Sequence, residues 1–79
     1  MTQTILTNRE KEIFKLLVAN KSTKEISEIA KISEKTVRNH ISNVMQKLNV
    51  KNRSGAIIEL IKLGEISIWK SFLNDFFLY

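Results

Sequence analysis

One segment of this sequence carries side chains that can form hydrogen bonds with the edges of nucleic-acid bases. The segment SEKTVRNHISNVMQKL, residues 33–48, has apolar residues at helical spacing, namely Val37, Ile41, Val44 and Leu48. Its opposite face carries Lys35, Arg38, Asn39, Ser42 and Gln46. Arginine can bind two acceptors of guanine, and a side-chain amide can pair with adenine. A helix with this outer face therefore suits the major groove of DNA.

The first half of this face is the predicted base-contacting set, because the N-terminal part of a recognition helix points into the groove. The set is Lys35, Arg38, Asn39 and Ser42. Without the surrounding pattern, solvated surface charge is the favoured interpretation of Lys35 and Arg38, and Asn39 and Ser42 could equally be plain surface polar residues. His40 lies between the two faces, and with no neighbouring ligands a half-buried, hydrogen-bonded histidine is favoured over a catalytic or metal-binding one.

Phosphate contacts require donors around the base-contacting face. Thr23 and Lys24 lie at the predicted start of a helix, where free amides and the helix dipole favour an anion. Further candidates are Thr36, Lys47, Lys51 and Arg53.

The positive charge of the chain is concentrated around the same segment. The net charge is +5; residues 1–30 contribute +1, residues 31–53 contribute +5 and residues 54–79 contribute −1. In the middle range, Glu34 is the sole acidic residue against six basic ones. A localised positive patch of this kind indicates a polyanionic partner.

Composition excludes several classes of function. The chain has no cysteine and one histidine, so disulfides, thiolate metal sites and a bound metal cofactor are not expected. It has no glycine-rich phosphate loop and no carboxylate pair with a pocket to serve, which argues against an enzyme. No apolar run reaches the length of a membrane span, and the N-terminus lacks the order of a signal peptide, so a cytoplasmic protein is predicted.

Four segments that start at a capping residue or end at a helix-terminating residue predict an all-α domain. Its helices position the basic face of residues 33–48. Capping boxes at Thr7–Glu10 and Ser22–Glu25 open the first two helices, and Ser33 caps the third. The first helix is predicted over about 8–19 and the fourth over about 53–63, with Gly64 as its stop. In the short second helix, Ile26, Ile29 and Ala30 are expected to point inward. Two helices joined by the tight connection Lys31-Ile32 make a helix-turn-helix.

The fourth helix has more apolar residues than one buried face requires. Ala56, Leu60 and Leu63 are expected to face the core. The remaining apolar residues, Ile57, Ile58 and Ile61, then form a predicted interface with a second copy of the chain. A domain of 79 residues without disulfides has a small core, which also favours association.

The segment 67–79 has a different character and is predicted to form a fifth amphipathic helix. Its apolar residues recur at spacings of three and four as Trp69, Phe72, Leu73, Phe76 and Phe77. Packing against the domain or a second copy is favoured over a membrane surface, because the polar side of this helix is not basic.

Several short motifs together resemble the LuxR-type DNA-binding domain, also called the GerE-type domain. They are Leu6-Thr7, Arg9-Glu10, Glu12-Ile13, Ser22, Lys24-Glu25-Ile26, Ser33, Lys35-Thr36-Val37, His40, Lys47-Leu48, Val50, Arg53 and Ala56. The resemblance runs from Leu6 to about Ile66 and implies a four-helix domain over residues 1–66, with 67–79 as an appended tail. Within the family, residues 33–48, 51–60 and 63–65 are particularly similar to a small stand-alone member of late sporulation, which implies control of spore-coat genes.

The resemblance also implies roles for individual residues. The third helix would read the major groove and the fourth would form a homodimer. Arg38, Asn39 and Ser42 would face the bases, with Lys35 at their edge. The phosphate-facing residues would be Thr23, Lys24, Thr36 and Lys47, with His40 near the DNA backbone.

Two residues of the second helix depart from the family pattern. Ser27 stands where the family usually has alanine, and Ala30 where it usually has a larger aliphatic residue. The junction of the second and third helices is therefore expected to be looser, with Ile29 compensating. The segment after Ile66 has no counterpart in the family pattern.

The leading hypothesis is a sequence-specific DNA-binding transcriptional regulator that acts as a homodimer on two half-sites. Double-stranded DNA is its expected partner, and RNA polymerase is a candidate further partner. The alternative is a protein-interaction module that uses the basic face and the aromatic tail. A gel shift that survives competitor DNA distinguishes the two hypotheses.

Overall fold

The computed structural model describes residues 6–66, and this part of the chain consists of four α-helices. They are α1 (Asn8–Val18), α2 (Thr23–Ala30), α3 (Glu34–Leu48) and α4 (Arg53–Lys62), and no strand occurs between residues 6 and 66. The prediction of a four-helix, all-α domain is confirmed, and α1 and α4 each end one residue before the predicted position. The predicted fifth helix lies outside the described residues. None of the four helices has the length and apolarity needed to cross a membrane.

Each helix begins at a polar side chain that accepts a backbone amide hydrogen. The capping boxes at Thr7–Glu10 and Ser22–Glu25 are both complete. The Oγ of Ser33 accepts from the Thr36 amide at 3.0 Å, which starts α3. These three caps confirm the sequence prediction. The fourth cap was not predicted: Asn52 Oδ1 accepts from the Gly55 amide at 2.7 Å.

A residue with positive φ follows the end of each of the four helices. Asn20, Asn49 and Gly64, with φ values of 64°, 56° and 76°, are residue types that tolerate this conformation. Lys31 also adopts it, with φ 59° and ψ 43°, and it forms the turn between α2 and α3. A side chain with a Cβ costs about 1 kcal/mol in this region. Lys31 thus replaces the glycine that is common in this turn of helix-turn-helix motifs.

One hydrophobic cluster joins all four helices. Its members are Leu6, Ile13, Phe14, Ile26, Val37, Ile41, Val44, Ala56, Leu60 and Ile66. Helix α3 packs against the other three helices. Its contribution is the predicted stripe of Val37, Ile41 and Val44, with Leu48 half-buried at its end. Burial of this stripe fixes which side of α3 faces the solvent.

Two apolar residues expected to be inside are in fact half exposed. Ile29 is 51% exposed, because the inward side of α2 is formed by Ile26, Ser27 and Ala30. The buried hydroxyl of Ser27 donates to the Lys24 carbonyl at 2.7 Å, so it has a partner. Ile29 therefore does not point into the junction of α2 and α3, and the expectation that it compensates there for Ser27 and Ala30 is wrong.

Leu63 is the second of these residues and is also 51% exposed. It follows the last residue of α4 as the C-cap, so it no longer continues the stripe of Ala56 and Leu60. After the turn at Gly64, Ile66 takes the core position instead and is 6% exposed. The expectation that Leu63 faces the core is wrong for this reason.

Candidate nucleic-acid interface

The four predicted base-contacting residues lie together on the solvent side of α3. Lys35, Arg38, Asn39 and Ser42 are all exposed, because Val37, Ile41 and Val44 occupy the opposite side. Residues three and four apart are neighbours on a helix surface. The four side chains therefore form a strip about 10 Å long on the first two turns of α3. This strip is called the α3 face below.

Arg38 is held only weakly within the domain. Its Nη1 lies 3.8 Å from Glu34 Oε1, and both side chains are about half exposed. An exposed pair one helical turn apart contributes only about 0.5 kcal/mol. The guanidinium can therefore leave Glu34 for a base at little cost.

Asn43 is an additional polar residue that the sequence reasoning did not select. It is exposed on α3 and lies one turn after Asn39. The sequence signal that could have identified Asn43 is its spacing of four residues from Asn39, which places both side chains on the same side of a helix.

The predicted phosphate contacts lie at the first turns of α2 and α3, apart from Lys47. Lys24 is exposed and Thr23 half-buried where α2 begins. Thr36 is half-buried in the first turn of α3, and its hydroxyl lies 2.8 Å from Ser33 Oγ. The start of α2 and the start of α3 thus each offer polar donors to a phosphate.

Lys47 has a structural partner that the sequence reasoning missed. Its Nζ donates to Glu10 Oε1 at 2.7 Å and so links α3 to α1. The Glu10 side chain is only 5% exposed, whereas that of Lys47 is 37% exposed. The same carboxylate oxygen accepts the Thr7 amide of the capping box at 2.9 Å. Lys47 therefore compensates a buried charge in addition to any contact with DNA.

The contacts of Glu10 predict a specific dependence of stability on pH. Burial raises the pKa of Glu10, but hydrogen bonds from Lys47 and Thr7 and the charge of Lys47 lower it, and the net pKa lies below 4.5. Because the folded pKa is depressed, its stabilising contribution is complete above the unfolded pKa and is lost as the pH falls through the folded pKa. We expect Glu10→Gln to destabilise the domain by about 2 kcal/mol at pH 7 in urea unfolding.

The control for this prediction is Glu12→Gln. Glu12 also pairs with a basic residue, Arg9 at 3.1 Å, but both side chains are more than 40% exposed. Its replacement should cost less than about 0.5 kcal/mol. The difference between parent and Glu10→Gln should shrink below pH 4.5. A loss of equal size at pH 7 and at pH 3 would contradict the assigned role of the carboxylate.

His40 is half-buried on α3, as the sequence reasoning expected. Among residues 6–66, no three His, Cys, Asp or Glu side chains are grouped in a way that could hold a metal ion.

Helix α4 presents apolar side chains to the solvent. Ile58 is 54% exposed, and Leu63 at the end of the helix is 51% exposed. Ile57 and Ile61 are half-buried and pack against the core cluster. Of the three residues predicted to form the dimer interface, Ile58 is therefore the one with the most surface available to a partner.

Comparison with known proteins identifies relatives for most of the chain. Residues 4–60 match the family described as bacterial regulatory proteins, luxR family. The chain is 61% identical over 64 residues to the spore germination protein GerE of Bacillus subtilis (strain 168), covering 81% of this chain and 86% of that protein. It is also similar to a solved structure, described as that of the transcription factor GerE, with a TM-score of 0.82 and 64% identity over 84% of this chain and 98% of that one.

Longer regulators contain a similar segment. The transcriptional regulatory protein DegU of Brevibacillus brevis is 47% identical over 64 residues, and the match covers 81% of this chain but 27% of DegU. The transcriptional activator protein LuxR of Aliivibrio fischeri (strain ATCC 700601 / ES114) is 42% identical over 66 residues, which cover 84% of this chain and 26% of LuxR. The chain thus spans about a quarter of the length of these two relatives.

Proposed function

Since the chain belongs to the luxR family of bacterial regulatory proteins and is a DNA-binding transcriptional regulator rather than an enzyme, we propose that it binds its operator as a homodimer, with α3 of each subunit in the major groove. The observation that carries this proposal is the division of α3 into two sides. Its apolar side is buried in the core, and its other side exposes an amine, a guanidinium, an amide and a hydroxyl within two turns. These groups match the donor and acceptor pattern of base edges.

Within this proposal, Arg38 and Asn39 read bases, while Lys35 and Ser42 extend the contact along the groove. Arg38 is suited to guanine because its guanidinium donates two parallel hydrogen bonds. Asn39 is suited to adenine because its amide both donates and accepts. The weak pairing of Arg38 with Glu34 supports this role, since an exposed pair holds the guanidinium near α3 without burying it.

Phosphate binding is assigned to the residues that surround the α3 face. Thr23 and Lys24 lie at the start of α2, where the amides of the first turn favour an anion. Thr36 and Lys47 flank the base-contacting residues on α3. Such contacts fix the position of the protein on the duplex and carry no sequence information.

Salt dependence tests the phosphate contacts. If the dimer neutralises six phosphates, a plot of log binding constant against log salt concentration should have a slope of roughly −5. Lys24→Ala removes one contact per subunit and should reduce the magnitude of that slope by about 2. The exposed Lys15 on α1 is outside the proposed set, so Lys15→Ala should leave the slope unchanged. If Lys24→Ala has the same salt slope as Lys15→Ala and the parent, Lys24 does not contact a phosphate.

A homodimer is proposed through α4, with Ile57, Ile58 and Ile61 at the interface. The exposed apolar surface around Ile58 supports this arrangement. A two-fold symmetric dimer binds two symmetric half-sites, whose centres lie about 34–36 Å apart or at a multiple of one helical turn. Each subunit then places its own α3 face in one half-site.

The similarity to a spore germination protein supports a role in sporulation. We propose that the target genes are late sporulation genes, including those of the spore coat. The chain would act in the cytoplasm, where the chromosome lies, and would influence RNA polymerase through the position of its operator.

Selection of bound duplexes from a random pool tests the proposed function directly. The expected result is an enriched sequence with two inverted half-sites at a fixed spacing. Enrichment of a single half-site would contradict the homodimer and leave base reading intact. A pool that shows no enrichment after repeated rounds would contradict sequence-specific binding.

A further inference from the structure

The α3 face is bordered on one side by a line of polar residues. Thr36, His40, Asn43 and Lys47 follow one another at spacings of four, three and four. With 3.6 residues per turn, residues at these spacings lie along one side of a helix. This line, called the polar edge below, runs between the α3 face and the buried stripe for about 16 Å.

Every residue of the polar edge carries a group that can donate a hydrogen bond. The groups are a hydroxyl, an imidazole, an amide and an ammonium. Asn43 is exposed, whereas Thr36 and His40 are half-buried and Lys47 is 37% exposed. The polar edge contains no acidic residue. It therefore presents donors to an anion along most of the length of α3.

The opposite border of the α3 face has a different chemistry. Glu34 and Met45 lie on that side, and Glu34 Oε1 is 3.8 Å from Arg38 Nη1. A carboxylate repels a phosphate, and a thioether donates no hydrogen bond. Met45 also packs against the core cluster. A phosphate strand that runs beside α3 is therefore favoured on the polar edge.

Asn43 is the most accessible neutral donor of this edge. It lies one turn after Asn39 of the α3 face and one turn before Lys47. Lys47 already shares its ammonium with the buried carboxylate of Glu10, at 2.7 Å. A side chain at the border of a base-contacting face is placed to meet the sugar-phosphate backbone rather than a base edge.

From this asymmetry we propose that one DNA strand runs along the polar edge and that the amide of Asn43 donates a hydrogen bond to a phosphate of that strand. The inference rests on the proposed binding of α3 in the major groove. It adds a contact to the predicted set and determines which side of α3 meets the strand. Asn43 thus positions the domain on the duplex and does not read a base.

Asn43→Ala tests the contact by its effect on two kinds of DNA. It should weaken binding of the dimer to operator and to random DNA by the same factor, about tenfold. Alanine favours helix, so the fold should persist in circular dichroism. Asn39→Ala is the matched control, one turn earlier on α3, and should weaken the operator alone. If Asn43→Ala affects only the operator, or neither DNA, the proposal is wrong.

Asn43→Lys tests the position of the strand by a gain of charge. One more phosphate is neutralised in each subunit, so the salt slope should increase in magnitude by about 2. Asn8→Lys is the control, because Asn8 is exposed on α1 two residues from Glu10 and therefore on the other side of that helix. It should leave the slope unchanged. An unchanged slope for Asn43→Lys would place the strand elsewhere.

Operator duplexes in which one phosphate at a time is replaced by a neutral methylphosphonate locate the contact. At one position in each half-site, the replacement should weaken binding of the parent but not of Asn43→Ala. If every replacement affects both proteins equally, the contact does not exist. A parent protein that enriches no sequence from a random pool would instead contradict the proposed function. An operator-binding parent whose slope responds to Lys24→Ala but not to Asn43→Lys would contradict this inference alone.

Discussion

Replacement of Arg38 by alanine is expected to weaken binding to the selected operator by about 100-fold or more, with only a small change in binding to random DNA. A bidentate contact between arginine and guanine contributes about 1–3 kcal/mol of discrimination. A dimer makes this contact in both half-sites, so the loss is counted twice. Arg38 is about half exposed and pairs only at 3.8 Å with Glu34, so its removal should leave the fold intact. Titration of the variant against operator and random duplexes measures both affinities.

The contrast with Lys24→Ala makes this prediction specific. Lys24 is an exposed basic residue outside the α3 face, and its proposed contact is with a phosphate. Its loss should weaken operator and random DNA by the same factor, because phosphate contacts carry no sequence information. Asn39→Ala should behave like Arg38→Ala and relax the preference at a different base. If Arg38→Ala and Asn39→Ala bind the operator as well as the parent does, base reading by these residues is wrong.

The local architecture around this face was predictable because its signals are local. A capping serine and an apolar residue every third or fourth position determine where α3 begins and which side it buries. The exposed face of Lys35, Arg38 and Asn39 follows as the complement of that stripe. Asparagine and glycine tolerate the left-handed conformation, so the helix ends at Asn20, Asn49 and Gly64 were also predictable.

Interactions between distant residues were not predictable in the same way. Glu10 and Lys47 are 37 residues apart, and no local pattern links a capping-box glutamate to a lysine of another helix. Ile29 was assigned to the core because it is apolar, but the position of α2 against α3 turns Ser27 inward instead. Lys31 adopts a left-handed conformation that its side chain disfavours, because the packing of α2 and α3 requires a tight turn there. Each of these features depends on tertiary packing rather than on local propensity.

The proposed homodimer interface on α4 is the source of the second large effect. Ile58→Glu is expected to convert the dimer to a monomer and to weaken binding to a two-half-site operator by about 100-fold or more. In a two-fold symmetric interface each substitution occurs twice, so two charges would lose contact with water. Without the dimer, the second half-site no longer benefits from the high effective concentration of a linked subunit. Binding to a single half-site should be nearly unchanged, because the α3 face is untouched.

Ile58 is the informative position because it is 54% exposed, whereas Ile57 and Ile61 also pack against the core. A charge at Ile57 or Ile61 would disturb the fold of the monomer. A loss of dimerisation could then not be separated from a loss of folding. Sedimentation velocity measures the mass of Ile58→Glu, and circular dichroism checks that its helices remain. Ile29→Glu is the matched control, since it adds the same charge to an equally exposed isoleucine on α2 and should remain dimeric. A dimeric Ile58→Glu with full affinity for the operator would place the subunit interface on another surface.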